Sequence, residues 1–184
     1  MRHPGGSKAA VDEDFAAFVT TSSRRLLHAA DLLTGDRHRA EDLVQNAYTK
    51  AYLRWSRLRN EQPEAYVRKC LVNEYLDWYR RRRWREVPMS SDTEAVAGGS
   101  DGATSVAQRD AVQRALAVLT PRERSVVVLR YWFDLTEAQI AEQIGVAPGT
   151  VKSTAARALD RLRADHHIHT VALSGPSMHM QERS

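Results

Sequence analysis

The chain has 184 residues, a formal net charge of +4 and one cysteine. This length allows one domain or two small ones, and the positive charge favours a polyanionic partner. The lone Cys70 excludes an intrachain disulfide and a cysteine-based zinc site, and we find no secretory or membrane-spanning apolar run, so we expect a cytoplasmic protein.

The charge is distributed unevenly along the chain. Residues 1–86 carry +5 and residues 111–163 carry +3, whereas residues 87–110 carry −3. Two basic segments separated by an acidic segment suggest that the chain contacts nucleic acid at two places, one in each basic segment. We therefore predict an all-α protein of two small helical domains: a disordered N-terminus (1–11), a first domain (12–86), a flexible acidic linker (87–110), a second domain (111–163) and a disordered tail (164–184).

Two amphipathic helices are predicted in the first domain before residue 56. Apolar residues recur at helical spacing from Asp12 to Leu33, Gly35 follows as a helix terminator, and Asp36 can cap the next helix. That second helix has an unbroken apolar stripe over four turns, the strongest periodic signal in the chain. Its opposite face, which includes Asp42, Gln45 and Asn46, is either a solvated surface or a docking surface; periodicity alone leaves both open.

A third long helix is predicted from Pro63 to about Arg83, and it mixes aromatic and cationic residues. Trp78 and Tyr79 lie next to a run of arginines that begins at Arg80. Bases of single-stranded nucleic acid stack on aromatic rings while cations follow the phosphates. A basic run is often only a solvated end, but the two features coincide on one helix, which favours nucleic-acid contact.

The acidic linker and the tail offer no chemistry that we can assign. Residues 87–110 are rich in Ser, Gly, Asp and Ala and contain no aromatic residue, a composition typical of a flexible linker. The tail contains His166, His167, His169 and His179, but no carboxylate or cysteine completes a metal-ligand set at a familiar spacing. We predict no metal site, no cofactor and no catalytic residue.

The second domain contains the start and stop signals of a helix-turn-helix. Thr120 to Glu123 and Thr136 to Gln139 are capping boxes, Gly145 suits a tight turn, and Pro148 can begin the last helix. The last helix has an apolar side and a small polar and cationic side, which suits entry into the major groove. The residues on that polar side are Thr150, Lys152, Ser153, Thr154, Arg157 and Arg161.

Together, these motifs resemble the extracytoplasmic-function (group 4) sigma-70 family of bacterial RNA polymerase sigma factors. Their amino-acid sequences resemble those of its actinobacterial branch. The motifs are AEDLVQ at residues 40–45, the segment 66–85 with its arginine run, and GTVKS at residues 149–153. The resemblance spans about Asp14 to Arg163. It implies a sigma domain 2 at residues 12–86 and a sigma domain 4 at residues 111–163.

The resemblance also implies roles for individual residues. Asp42, Gln45 and Asn46 would dock on core RNA polymerase. The separated strand of the −10 promoter element would be held by Asn73, Asp77, Trp78, Arg80 and Arg81. The −35 duplex would be read by Thr150, Lys152, Ser153, Thr154 and Arg157. Many family members carry Arg where this chain has Thr154, so the usual −35 preference is not carried over at that position.

The expected partners are core RNA polymerase, promoter DNA and, as a candidate, an anti-sigma factor. Two weak DNA-binding domains on a flexible tether gain effective concentration only when their sites are suitably spaced, and core polymerase would set that spacing. The alternative is a stand-alone helix-turn-helix regulator, which would bind duplex DNA tightly without polymerase. An enzyme fused to a DNA-binding domain is disfavoured because residues 1–86 offer no convergent acid–base pair.

Overall fold

A computed structural model describes residues 8–85 and 103–165, apart from the side chains of residues 83–85 and 103–106, and every regular element in these ranges is helical. The predicted all-α fold is therefore confirmed. Predictions for residues 1–7, 86–102 and 166–184, including most of the linker and the histidine-bearing tail, lie outside the described residues. The elements are α1 (Lys8–Thr34), α2 (Arg37–Tyr52), α3 (Trp55–Leu58), α4 (Pro63–Arg85), α5 (Ala103–Ala117), α6 (Pro121–Val127) continuing into a π-helical turn (Val128–Trp132), α7 (Glu137–Ile144) and α8 (Pro148–Ala164).

Local chemistry sets the boundaries of the first helices. Gly35 has φ of 69°, a left-handed conformation that a residue without Cβ adopts cheaply, and it ends α1. The Asp36 carboxylate then accepts a hydrogen bond from the Arg39 amide and caps α2, as predicted. α1 begins at Lys8, so residues 8–11 are helical although the sequence suggested a frayed end. The short α3 was not predicted.

Helices α1, α2 and α4 pack into an N-terminal module around one apolar core. The apolar stripe of α2 is buried as predicted except at its end, where Tyr52 is exposed, and it meets α1 on one side and α4 on the other. An aromatic cluster closes one end of this core, with ring centroids 5.0 Å apart for Phe15 and Trp55 and 6.0 Å apart for Phe18 and Tyr48. The fully buried residues include Leu26, Leu33, Val67, Leu71, Val72 and Tyr75.

Helices α5 to α8 form a C-terminal module that contains the predicted helix-turn-helix. Both capping boxes are present, at Thr120 with Glu123 and at Thr136 with Gln139. Gly145 ends α7 with φ of 68°. α5 begins at Ala103, so residues 103–110, which were predicted to belong to the flexible linker, are helical. The π-helical turn after α6 was not predicted.

The two modules are in contact, which the prediction of two tethered domains did not include. The buried Arg124 of α6 donates hydrogen bonds to the carbonyl oxygens of Leu33 and Leu116, each at 2.9 Å. α1 ends at Thr34 and α5 ends at Ala117, so both oxygens belong to last turns, whose carbonyls lack partners within their helices. One guanidinium therefore caps the C-terminal ends of two helices, one from each module.

Further contacts between the modules surround Arg124. Arg109 forms an ion pair with Asp31, and the Gln113 side chain donates to the Asp31 carbonyl oxygen at 2.7 Å. The guanidinium groups of Arg25 and Arg68 both contact the Phe133 ring, 5.1 and 5.0 Å from its centroid. Cation–π contacts of this kind are stronger when they are withdrawn from water, and Phe133 is only 4% exposed.

Trp132 and Gln143 add further contacts between the modules. The Trp132 ring stacks on His28 at 4.3 Å between centroids, and its indole N–H donates to the Arg25 carbonyl oxygen at 3.1 Å. Gln143 accepts a hydrogen bond from Arg68 and donates one to the Ala65 carbonyl oxygen, both at 3.2 Å. These contacts hold the C-terminal module on α1 and α4.

Candidate nucleic-acid and partner interfaces

The predicted docking residues lie together on the exposed face of α2. Asp42, Gln45 and Asn46 are all exposed, while Leu43 and Val44 between them and Ala47 after them are buried. The Asn46 amide donates to Glu74 of α4 at 2.8 Å, and Lys50 forms an ion pair with the same carboxylate at 2.8 Å. The hydrogen bond from Lys50 to Glu74 raises the pKa of Lys50. The face is therefore tied to α4, a link that the sequence did not reveal.

An apolar groove lies beside this face, between α1 and α2. Its volume is about 500 Å³, and its lining includes Phe15, Val19 and Tyr48 as well as Gln45. Sequence reasoning assigned these apolar residues to the core. Tyr48 is buried, but Phe15 and Val19 are half-buried, which shows only once the helices are packed, because α1 carries more apolar surface than α2 and α4 cover.

The residues predicted to hold the −10 strand lie along the second half of α4. Asn73 is half-buried, Asp77 pairs with Arg80 one turn later, and Arg81 is exposed. The pair is more than a third exposed, so it orients the two side chains more than it stabilises the fold. The face carries a donor and acceptor set next to cations, as contact with a nucleic-acid strand requires.

Trp78 is not an open stacking platform in this structure. The Arg39 guanidinium lies over its ring at 3.6 Å from the centroid, and Arg82 lies at 5.4 Å. Tyr79 meets the ring edge-on at 4.5 Å. Arg39 was absent from the predicted site, because its contact with Trp78 joins residues of different helices. A base that stacks on this face of Trp78 must displace Arg39 or stack on its guanidinium.

The polar face of α8 is exposed, with one exception. Lys152, Ser153 and Arg157 are exposed and Thr150 is half-buried. Thr154 is 2% exposed, so its predicted place on the DNA-facing side is wrong. It lies three residues after Val151 and four before Ala158, which are both buried, and its position on the helix therefore belongs to the packed side.

Thr154 still contacts the exposed face through Arg157, whose guanidinium donates to the Thr154 hydroxyl at 3.4 Å. Arg161, which the sequence placed on the same polar side, forms an ion pair with Glu123 of α6 at 3.4 Å. Arg161 thus supports the helix packing rather than extending the free cationic face.

Two kinds of site are absent from residues 8–85 and 103–165. No group of three or more His, Cys, Asp or Glu side chains in these ranges is arranged to hold a metal ion. In the same residues no helix is both long enough and apolar enough to cross a bilayer.

The fold and its exposed faces define a helix-turn-helix protein of two helical modules, and comparison with known proteins identifies its family. The Sigma-70 region 2 model matches residues 18–85, and the Sigma-70, region 4 model matches residues 109–162. The RNA polymerase sigma-E factor of Streptomyces coelicolor is 37% identical over 153 residues, covering 83% of this chain and 85% of that protein. The ECF RNA polymerase sigma factor SigL of Mycobacterium tuberculosis is 30% identical, covering 89% and 94%.

A solved structure agrees with the fold. The sigma factor RpoE of Bartonella quintana, in complex with the anti-sigma factor NepR, superposes with a TM-score of 0.61 at 24% identity, covering 83% of this chain and 96% of that chain. The chain belongs to the sigma-70 family of RNA polymerase sigma factors, with relatives of the extracytoplasmic-function type. The family and its actinobacterial resemblance, read from the sequence, are confirmed.

Proposed function

We propose that this sigma factor binds core polymerase through α2 and reads its promoter through α4 and α8. The observation that carries the proposal is the exposure of three separate polar faces, one on each of these helices, within two modules that match sigma regions 2 and 4. The chain would supply specificity in the cytoplasm, and the polymerase would perform the chemistry.

The assignment of individual residues follows from the same faces. Asp42, Gln45 and Asn46 would dock on core polymerase. Asn73, Asp77, Trp78, Arg80 and Arg81 would hold the −10 strand, and Thr150, Lys152, Ser153 and Arg157 would contact the −35 duplex. Arg157 is the best-placed side chain for a guanine edge, and Thr154 would act on it only by fixing its orientation.

Promoter binding requires the two modules to separate. Compact domains of this size are roughly 40 Å across. The −10 and −35 elements lie roughly 25 base pairs apart, or about 85 Å along B-form DNA. A closed molecule cannot reach both. Residues 86–102 can reach at most roughly 60 Å, which together with the modules themselves is enough to span the promoter.

Separation costs the contacts made by Arg124, Arg109 and Trp132, so the free protein should bind promoters poorly. Core polymerase would compensate by binding the modules in the separated arrangement, because a ligand shifts an equilibrium only through its different affinities for the two states. The anti-sigma partner in the RpoE complex suggests the same class of partner for this chain.

The docking face is tested by competition binding with sigma-free core polymerase. Asp42→Arg with Gln45→Ala should weaken binding at least about tenfold, because the first change puts a cation where the face is acidic. The matched control is Glu61→Arg, an exposed charge reversal away from α2. Equal binding by the double variant and the wild type would refute the assignment.

A further inference from the structure

In the contact between Asn46 and Glu74, the amide of Asn46 is the donor and the carboxylate of Glu74 is the acceptor. The two oxygens of the Glu74 carboxylate accept from two donors on α2, Oε1 from the Asn46 amide nitrogen and Oε2 from the Lys50 ammonium, each at 2.8 Å. The Glu74 side chain is 17% exposed, whereas the Lys50 side chain is 52% exposed. The largely buried Glu74 carboxylate thus accepts its hydrogen bonds from two exposed side chains of α2.

An ionised carboxylate accepts hydrogen bonds and donates none. The Asn46 side chain has two different ends, an NH₂ group that donates and an oxygen that accepts. Glu74 can pair only with the NH₂ end, so the Asn46 Oδ1 must turn toward solvent. Without Glu74 the amide would rotate freely and present either end to a partner.

We propose that Glu74 is a positioning residue that makes Asn46 present a hydrogen-bond acceptor to core polymerase. The inference rests on the proposed docking face of α2. The group on the polymerase is then a donor, either a cationic side chain or a backbone N–H. Glu41 and Asp42 are exposed next to Asn46 on the same helix, and their charge favours the cationic donor.

The substitution Glu74→Gln reverses this direction with almost no change in shape. Lys50 has only donors, so it requires the Gln oxygen, and this charge-assisted bond is stronger than a bond between two amides. The Gln NH₂ group then faces Asn46, which must turn its own oxygen inward. Asn46 would present its NH₂ end to the polymerase, donor against donor.

A second substitution restores the original direction. In Asn46→Asp with Glu74→Gln, the amide and the carboxylate exchange places, so the net charge equals that of the wild type. The carboxylate introduced on α2 accepts from the Gln NH₂ group and keeps an oxygen pointing outward. Asn46→Asp alone places two carboxylates in contact, and their repulsion disfavours the pair.

The test measures the Kd of full-length variants for sigma-free core polymerase, together with the Tm of each variant. Glu74→Gln should raise Kd about tenfold, because a donor left facing a donor loses a hydrogen bond and its solvation. The double variant should return Kd to within about threefold of wild type. Glu64→Gln is the matched control: it removes one carboxylate from the same helix, where Glu64 pairs with Arg25, and should leave Kd unchanged.

The outcomes separate this inference from the proposed function. Wild-type affinity for Glu74→Gln, with weakened binding by Asn46→Ala, overturns the positioning role and leaves the docking face intact. Wild-type affinity for Asn46→Ala overturns the positioning role and removes Asn46 from the docking face, whereas the rest of that face is refuted only by wild-type affinity for Asp42→Arg with Gln45→Ala. If Glu74 only stabilised the fold, Kd would follow Tm across the series, and adding Asn46→Asp to Glu74→Gln would not restore Kd. This result also overturns the inference.

Discussion

Arg124 should control whether the two modules stay together. Its guanidinium is the group that reaches the end of α1 in one module and the end of α5 in the other, at 2.9 Å to each carbonyl oxygen. It is 7% exposed, so water replaces these bonds poorly when the side chain is removed. The variant Arg124→Met keeps the apolar stem of the side chain and loses both hydrogen bonds.

The magnitude follows from the two bonds. A hydrogen bond to a charged group contributes about 1.5–3 kcal/mol, and a buried carbonyl left without a donor costs about 1–3 kcal/mol. This second cost applies to the Leu33 oxygen, because the Leu116 oxygen also accepts from the Leu119 amide at 3.1 Å. Removing the buried charge recovers part of this free energy, because burying a cation is itself unfavourable. We expect a net loss of about 3 kcal/mol, which lowers Tm by roughly 6–12 °C in a protein of this size. Arg124→Lys should have a Tm between those of the wild type and Arg124→Met, because an ammonium group lacks the forked donor geometry of a guanidinium.

Thermal unfolding and small-angle X-ray scattering measure the two effects separately. Arg124→Met should lower Tm and also raise the radius of gyration, because the modules part before either unfolds. Arg122→Met is the control, since Arg122 is on the same helix and exposed, and it should change neither quantity. An unchanged radius of gyration together with an unchanged Tm for Arg124→Met would show that the guanidinium does not join the modules.

Other predictions concern single sites. Thr120→Ala removes one half of a capping box and should cost about 1 kcal/mol of unfolding free energy in urea titration, and a loss below a few tenths would contradict the cap. Arg157→Ala should weaken binding of the polymerase holoenzyme to a −35 duplex by about 1–3 kcal/mol, while Arg163→Ala, which removes a cation paired with its neighbour on the same helix, should not; equal effects would refute base contact. Trp78→Ala should slow open-complex formation without changing closed-complex affinity, as followed by stopped-flow fluorescence, and an unchanged rate would exclude Trp78 from melting. Burial lowers the pKa of His28 from its ordinary 6.5; the Asp31 charge opposes this shift, and Arg109 and Arg24 add to it. Stability should therefore be intact above pH 6.5 and fall as the pH drops below it, because the unfolded chain then binds a proton that the folded one does not. His28→Asn should flatten this dependence of Tm on pH, and an unchanged slope would contradict the assignment.

The sequence was most informative where structure depends on neighbouring residues. Asp36, Thr120 and Thr136 each cap a helix within three residues of themselves, and Gly145 takes a left-handed conformation that its own backbone permits. Such features depend on chemistry within one turn, so they can be predicted without knowledge of the tertiary fold. The same holds for the apolar stripe of α2, whose period alone identified the buried side.

The failures share a different cause. Thr154 lies at the border of two helix faces, and only the packing of α8 on its neighbours shows that it is buried. Arg124 looks like a surface cation of an amphipathic helix, and its function depends on two carbonyls that are 8 and 91 residues away in sequence. The pairs Arg39 with Trp78 and Asn46 with Glu74 also join different helices. Long-range pairing of polar groups has no periodic signature, so sequence patterns do not reveal it.

The most direct measurement of the central claim is run-off transcription by sigma-free core polymerase on a library of genomic promoter fragments, with and without this protein. The account predicts new start sites that share one −10 and one −35 pattern, appear only when protein and core are both present, and are lost when α2 carries Asp42→Arg with Gln45→Ala. The absence of specific start sites would contradict the account. Tight, selective binding of the protein alone to the same promoters would also contradict it, and would favour a stand-alone regulator.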